Sequence, residues 1–253
     1  MDKNIIFYFS GTGNSLKVAK DIAETLGNCE FVSMGSPYKL NAEYKRIGFV
    51  YPVYFSSLLE TAKRFIENID INENKDAYFF AVCTGGMTTG GLTDIAHIIA
   101  GKGGKLSYGA FIKCFANYVC MYPMSEKVSE KTASQVMRTK QVSFEIKNKT
   151  INKIPKSSSI AAFMTKSSKK NVATKDMNYN TNDSCVGCEI CCKVCPVKNI
   201  KMENSKPCFL HHCEQCTACI QWCPHQAINY KDKTQNRQRY HHPNIMLEDM
   251  INN

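Results

Sequence analysis

The hydrophobic positions of the first 150 residues follow two alternating patterns. Short, nearly continuous apolar runs predict strands of a parallel sheet that helices cover on both faces. Between these runs, apolar residues recur every three or four positions, which predicts amphipathic helices. The predicted strands are Asn4–Phe9, Glu30–Met34, Arg46–Tyr51, Ala77–Cys83 and Lys105–Phe115. The two clearest helices carry the apolar residues Leu16, Ala19, Ile22, Ala23 and Leu26, and Leu58, Ala62, Phe65, Ile66 and Ile69. This βαβ order predicts an α/β fold with a doubly wound five-stranded parallel sheet, whose ligand crevice lies at the carboxyl ends of the strands.

The loop after the first predicted strand, Ser10–Ser15, is rich in hydroxyls and lacks the lysine of a Walker loop. Gly11 and Gly13 allow a close approach to the backbone, and Thr12 and Ser15 offer hydroxyl donors. Because the N-terminus of a helix favours a dianion, this loop predicts a phosphate monoester site. A capped turn without a ligand is the alternative.

Two further loops follow the third and fourth predicted strands. The first of them, Tyr51–Ser56, offers aromatic faces beside Pro52, and the second, Cys83–Gly91, offers several backbone amides. Taken singly, such aromatics more often pack in a core, and glycine runs more often provide flexibility. In this order they predict a pocket that sandwiches a planar ring and binds the polar edge of a heterocycle.

These three segments resemble the loops of flavodoxins, which they match as SGTGNS, YPVYF and CTGGMTTGG. The resemblance covers about residues 1–146 and implies strand order 2-1-3-4-5 and FMN as the cofactor. Asn117, in the segment after the fifth strand, is a further candidate, and its neighbour Tyr118 is interpreted as a core residue. The predicted cofactor-binding residues are Ser10, Thr12, Gly13, Asn14, Ser15, Pro52, Val53, Tyr54, Phe55, Thr84, Gly85, Gly86 and Asn117.

Cysteine is the unusual residue of this chain, with 14 in 253 residues, and ten of them lie between Cys185 and Cys223. The pattern C-x2-C-x2-C-x3-C-P occurs twice, 28 residues apart, so an internal duplication is evident. Zinc sites usually pair separated C-x2-C knuckles. Three closely spaced cysteines with a remote Cys-Pro favour a 4Fe-4S cluster over zinc.

The duplicated pattern resembles bacterial two-cluster ferredoxins, a small α+β fold, over residues 181–232. The resemblance implies that the fourth cysteine of each run ligates the other cluster. One ligand set is then Cys185, Cys188, Cys191 and Cys223, and the other is Cys213, Cys216, Cys219 and Cys195. Glu189 and Thr217 stand where ferredoxins often have glycine, and Cys192 and Cys208 are interpreted as non-ligands. Trp222 is predicted to shield a cluster from water, and surface positions are predicted for His211, His212, His241 and His242.

The formal charge of +10 is concentrated in the middle of the chain, because residues 140–180 carry nine Lys and Arg against two Asp and Glu. We interpret residues 147–180 as a basic linker, either a solvated connector or a docking strip for an acidic redox partner. Motifs typical of nucleic-acid binding are not evident. In the tail, residues 233–253, Met246, Leu247, Met250 and Ile251 predict a short helix.

Together the two units resemble the flavodoxin-ferredoxin fusion family of electron-transfer proteins. The resemblance implies a protein that joins one-electron to two-electron redox partners, of ferredoxin, reductase or dehydrogenase type. The alternative is an FMN-dependent reductase that receives electrons through its clusters. Direct NAD(P)H oxidation is unsupported, since no G-x-G-x-x-G fingerprint is visible. A redox-sensing regulator is a third interpretation, without an evident DNA-binding element. Because neither a signal peptide nor a long apolar run is evident, we expect a cytoplasmic protein without a membrane span.

Overall fold

A computed structural model describes residues 2–87, 89–155 and 171–251. Its N-terminal half is a parallel five-stranded sheet of order β2-β1-β3-β4-β5. The strands are β1 (Asn4–Tyr8), β2 (Cys29–Ser33), β3 (Arg46–Pro52), β4 (Tyr78–Gly85) and β5 (Leu106–Lys113). The predicted fold class and strand order of this unit are confirmed. Each predicted strand end lies within two residues of the observed one, because the apolar runs coincide with the buried stretches.

Four helices cover this sheet. They are α1 (Asn14–Leu26), α2 (Glu60–Asn68), α3 (Leu92–Gly101) and α4 (Val128–Lys147). Helix α1 packs with α4, and α2 packs with α3, so that each face of the sheet carries one pair. The central strands are therefore buried on both faces, which explains the continuous apolar runs in their sequences.

The cysteine-rich unit consists of short elements. They are β6 (Tyr179–Thr181), α5 (Ile190–Lys193), β7 (Ile200–Glu203), β8 (Lys206–Phe209), α6 (Ala218–Gln221) and β9 (Ile228–Tyr230). Strand β6 pairs antiparallel with β9, and β7 pairs antiparallel with β8. Helices α5 and α6 occupy the same place in the two halves of the 28-residue duplication, so the backbone repeats with the sequence.

The ends of the predicted linker pack onto the two units. The Asn152 side chain bonds both the backbone N–H and the carbonyl of Gly109 on β5, at 3.0 and 2.9 Å. On the other side, the fully buried Asp176 accepts hydrogen bonds from Asn199 and from the His211 backbone. The basic residues Lys156, Lys166, Lys169 and Lys170 lie outside the described residues.

A single apolar cluster joins the sheet to the C-terminal half of the chain. Val194, Ala218, Trp222 and Ile245 belong to the same buried cluster as the strands β1, β3 and β4. The two units therefore share a core.

The predicted tail helix is α7 (Leu247–Ile251), preceded by a segment that packs on the start of α1. One prediction for this segment is wrong: His242 is fully buried, because it packs against Gly13. Among the helices of the described residues, none has both the length and the apolar character that a membrane crossing requires.

Candidate functional site

A cavity of about 370 Å³ lies at the carboxyl edge of the sheet, between the loops that follow β1, β3, β4 and β5. We call it the loop cavity. Gly13, the cap residue of α1, is not among the lining residues, and Thr88 of the third loop lies outside the described residues. The other predicted cofactor-binding residues line the loop cavity: Ser10, Thr12, Asn14, Ser15, Pro52, Val53, Tyr54, Phe55, Thr84, Gly85, Gly86 and Asn117.

Hydrogen bonds between the loops fix the polar end of this cavity. The hydroxyls of Ser15 and Thr84 are 2.8 Å apart, which ties α1 to the end of β4. Asn117 donates from Nδ2 to Thr12 Oγ1 at 2.7 Å, which ties the segment after β5 to the first loop. The polar groups are thus positioned by contacts among distant parts of the chain.

The N-terminus of α1 is suited to an anion. Its cap residue, Gly13, has a φ of 91°, a left-handed conformation that favours glycine. A side-chain cap is absent at this end of α1, and its first turn contains no acidic residue. Because uncapped N–H groups and the helix dipole favour negative charge, the first loop fits a phosphate group.

Aromatic side chains form the apolar walls of the cavity. Phe55 and Tyr118 meet edge to face with ring centroids 6.0 Å apart. Tyr118 is half-buried and lines the cavity, so its interpretation as a core residue is wrong. Burial, with smaller contributions from Cys216 and Glu214, raises the pKa of the Tyr54 hydroxyl well above its usual value. Tyr54 therefore remains a neutral hydrogen-bond donor.

Three residues of the cysteine-rich unit, Gln215, Cys216 and Thr217, line the same cavity. The approach is close at Gly11, where an added Cβ would lie 2.6 Å from the Cys216 carbonyl oxygen and 2.9 Å from its Cβ. Sequence reasoning missed these residues as part of the pocket. Local patterns give no signal for a contact between segments about 200 residues apart.

The eight predicted metal ligands are divided between two small cavities. The outer set, Cys185, Cys188, Cys191 and Cys223, lines one of them. The inner set, Cys195, Cys213, Cys216 and Cys219, lines the other. In each set, three cysteines come from one run and the fourth from the other run. Cys192 and Cys208 line neither cavity.

The two sets have similar donor chemistry. The backbone N–H of Asn199 donates to Cys195 Sγ at 3.2 Å, and its repeat equivalent, Ala227, donates to Cys223 Sγ at 3.3 Å. Burial raises the pKa of Cys216, and the nearby sulfur atoms of Cys195 and Cys213 add to this rise. A bound cation would offset both effects, because a coordinating thiol is deprotonated. Each set therefore offers four cysteine thiols, at least one of which accepts a backbone N–H, and this is the type of donor that 4Fe-4S clusters use.

Within residues 2–87, 89–155 and 171–251, there is no group of three or more His, Cys, Asp or Glu side chains arranged to hold one metal ion.

The tail and Trp222 hold the first loop through hydrogen bonds. The His242 backbone N–H donates to the Thr12 carbonyl at 2.8 Å, and the Tyr240 hydroxyl donates to Asn14 Oδ1 at 2.7 Å. Trp222 lines neither cysteine cavity; its indole N–H donates to the Gly11 carbonyl at 3.1 Å. Burial lowers the pKa of the His242 imidazole to about 4, with Lys17 and His241 contributing. His242 is therefore neutral at pH 7.

Comparisons with known proteins agree with this description of the first unit. Residues 5–91 match the flavodoxin domain family, so this unit is flavodoxin-like. No curated protein matches the chain.

Several solved structures are similar to part of the chain. Flavodoxin from Megasphaera elsdenii is 17% identical over 42% of this chain and 83% of its own, with a TM-score of 0.35. Rubredoxin oxygen:oxidoreductase from Desulfovibrio gigas is 14% identical over 59% of this chain and 37% of its own, with a TM-score of 0.40. The Trp repressor binding protein from Bacillus subtilis is 12% identical over 54% of this chain and 96% of its own, with a TM-score of 0.34.

Proposed function

We propose that this protein transfers electrons between two 4Fe-4S clusters and FMN, and so couples one-electron to two-electron redox partners. The observation that carries the proposal is the position of Cys216, which lines both the loop cavity and the inner cysteine cavity. A cluster held by the inner set would therefore be the immediate neighbour of a flavin in the loop cavity.

The residues of the loop cavity suit FMN. In this proposal, Thr12, Asn14 and Ser15 bind the phosphate together with the uncapped N-terminus of α1, because these residues line the cavity at that helix end. Tyr54 and Phe55 supply aromatic walls for the isoalloxazine, and Gly85 and Gly86 supply backbone for its polar edge. Gly11 packs closely against Cys216, where the first loop meets the cysteine-rich unit.

The cysteine sets suit the two clusters. When bound, 4Fe-4S clusters supply single-electron chemistry at low potential, and FMN accepts or gives one or two electrons. Cys188 of the outer set is exposed, whereas Cys216 and Cys219 of the inner set are buried. A protein partner could thus approach the outer set at Cys188, and Cys216 joins the inner set to the loop cavity.

Anaerobic purification followed by counting of iron, sulfide and flavin tests this proposal. We expect about eight irons and eight sulfides per chain, together with one FMN. Reduction by a low-potential one-electron donor should bleach the iron-sulfur absorption and the flavin bands. A protein that binds flavin but no iron, under anaerobic reconstitution with iron and sulfide, would contradict the proposal.

The FMN assignment has its own variant. Thr12→Val removes the hydroxyl that Asn117 contacts and that faces the cavity. We expect weaker FMN binding, by roughly tenfold, because a charge-assisted hydrogen bond is lost. Thr25→Val is the control, since Thr25 lies at the far end of α1, where its hydroxyl donates to the Asp21 carbonyl of the same helix. If Thr12→Val bound FMN as tightly as the wild-type protein, the phosphate would have to bind elsewhere.

A second candidate function is reduction of a small molecule at the flavin. It is favoured by the rim of the loop cavity, where the side chains of Met87 and Met121 are 87% and 68% exposed. Turnover of a defined substrate with electrons from reduced ferredoxin would favour this enzyme. Reoxidation only by other redox proteins would favour the carrier.

A further inference from the structure

The two cysteine runs differ at one position that matters for the loop cavity. The 28-residue shift that superposes the cysteines also superposes Gly187 on Gln215. Both residues have a positive φ, 71° for Gly187 and 55° for Gln215. This conformation suits glycine and costs energy for a residue with a side chain. We call residues 185–195 the outer run and residues 213–223 the inner run, since each supplies three of the four cysteines of the set of that name. The inner run therefore carries glutamine where the backbone favours glycine.

The Gln215 side chain bridges the loop cavity and an inner cysteine. Its Oε1 accepts a hydrogen bond from the Tyr118 hydroxyl at 3.1 Å. Its Nε2 donates to Cys213 Sγ at 3.8 Å, and its backbone N–H donates to the same sulfur at 3.2 Å. The residue is 1% exposed and lines the loop cavity. Both ends of the amide are thus used.

Donors to sulfur are unequally distributed between the sets. Asn199 and Ala227 supply one backbone N–H to each set at equivalent positions of the repeat. The two hydrogen bonds from Gln215 to Cys213 are additional on the inner side, and Gly187 has no side chain to supply the second of them on the outer side.

Burial and hydrogen bonding have opposite effects on a reduction potential. Reduction adds a negative charge to a cluster, which water and N–H donors stabilise and an apolar surrounding disfavours. Cys188 of the outer set is exposed to water, whereas the inner set contains no exposed cysteine and two of its members, Cys216 and Cys219, are buried. Without further donors, burial would make the inner site the harder of the two to reduce.

We propose that Gln215 is a positioning residue that raises the reduction potential of the inner site through its hydrogen bonds to Cys213, while it orients Tyr118 in the loop cavity. This inference rests on the proposed function, because it requires a 4Fe-4S cluster at the inner set.

The variant Gln215→Gly tests the inference, since it copies the outer run and suits the positive φ. Gln226→Gly is the matched control. Gln226 also has a positive φ, 48°, and lies beside Cys223, but its side chain is exposed. Each purified holoprotein is titrated anaerobically, with electron paramagnetic resonance used to follow the two clusters and absorption used to follow the flavin.

We expect the equilibrium constant for reduction of the inner site to fall roughly tenfold in Gln215→Gly, with the outer site unchanged. In Gln226→Gly neither site should change. An unshifted inner potential in a Gln215→Gly protein with both clusters intact would overturn the inference alone, as would an equal shift in the control. A wild-type protein without iron and sulfide would overturn the proposed function, and the inference with it.

Discussion

The two cysteine runs have the same spacing and the same local backbone, yet they lie in different surroundings. Each places a left-handed residue before a four-residue helix, Glu189 with φ 63° before α5 and Thr217 with φ 59° before α6. Glu189 is exposed, whereas Thr217 is buried and lines the loop cavity. The repeat thus fixes the local geometry, and the contact with the sheet unit gives the inner run its distinct role.

The largest expected difference between the runs concerns the ligands Cys191 and Cys219, which are repeat equivalents. Each change to alanine should reduce the iron content from about eight to about four per chain. Only Cys219→Ala should also weaken FMN binding, by roughly tenfold, because its neighbours Gln215, Cys216 and Thr217 line the loop cavity. Iron analysis and flavin titration measure both effects. Equal FMN affinity in the two variants would break the proposed asymmetry.

A second prediction concerns the contact between Gly11 and Cys216. The change Gly11→Ala places a methyl group against the Cys216 backbone, so the free energy of unfolding should fall by about 1–3 kcal/mol. Gly101→Ala is the control, since nothing lies within 4 Å of its added Cβ at the end of α3. That variant should be neutral or slightly more stable. Denaturant unfolding compares them, and similar stability of both would argue against tight packing at Gly11.

A third prediction concerns Glu214, which docks the inner run onto α2. Its carboxylate accepts hydrogen bonds from the Thr61 backbone N–H at 2.5 Å and from the Thr61 hydroxyl, in the first turn of the helix. Glu214→Gln should lower the free energy of unfolding by about 1–2 kcal/mol. The repeat equivalent, Val186, is 64% exposed. Val186→Ala should therefore change the free energy of unfolding by less than about 0.5 kcal/mol. Matching losses in the two variants would contradict this docking role.

The smallest expected effect concerns Glu189 and Thr217, the two residues with a left-handed backbone conformation before α5 and α6. Glu189→Gly relieves backbone strain at an exposed position, so the free energy of unfolding should rise by about 0.5 kcal/mol. Thr217→Gly relieves similar strain but removes a buried side chain, so it should be the less stable of the two variants. Thermal unfolding of the pair measures the difference, and greater stability of Thr217→Gly would show that its side chain contributes little.

Much of the sheet unit was predictable because its signals are local. Apolar runs and helical stripes gave the strand positions, and Ser10–Ser15 followed from hydroxyls and glycines before a helix. The predictions of a core position for Tyr118 and a surface position for His242 were wrong, because the burial of both residues depends on segments far away in sequence. Tyr118 lies at the loop cavity beside Phe55, and His242 packs under Gly13.

The amino-acid sequence alone determined the chemistry available to this protein: a phosphate-binding loop at a sheet edge and two runs of four cysteines at fixed spacing. Such features depend on residue types that are neighbours along the chain. Only the tertiary structure decided that Cys188 of one run is exposed while Gln215, Cys216 and Thr217 of the other line the loop cavity. Cys216 also lines the inner cysteine cavity. The physical reason is that Cys216, Ala218 and Trp222 of the inner run are buried together with the sheet, which brings this run to the loops.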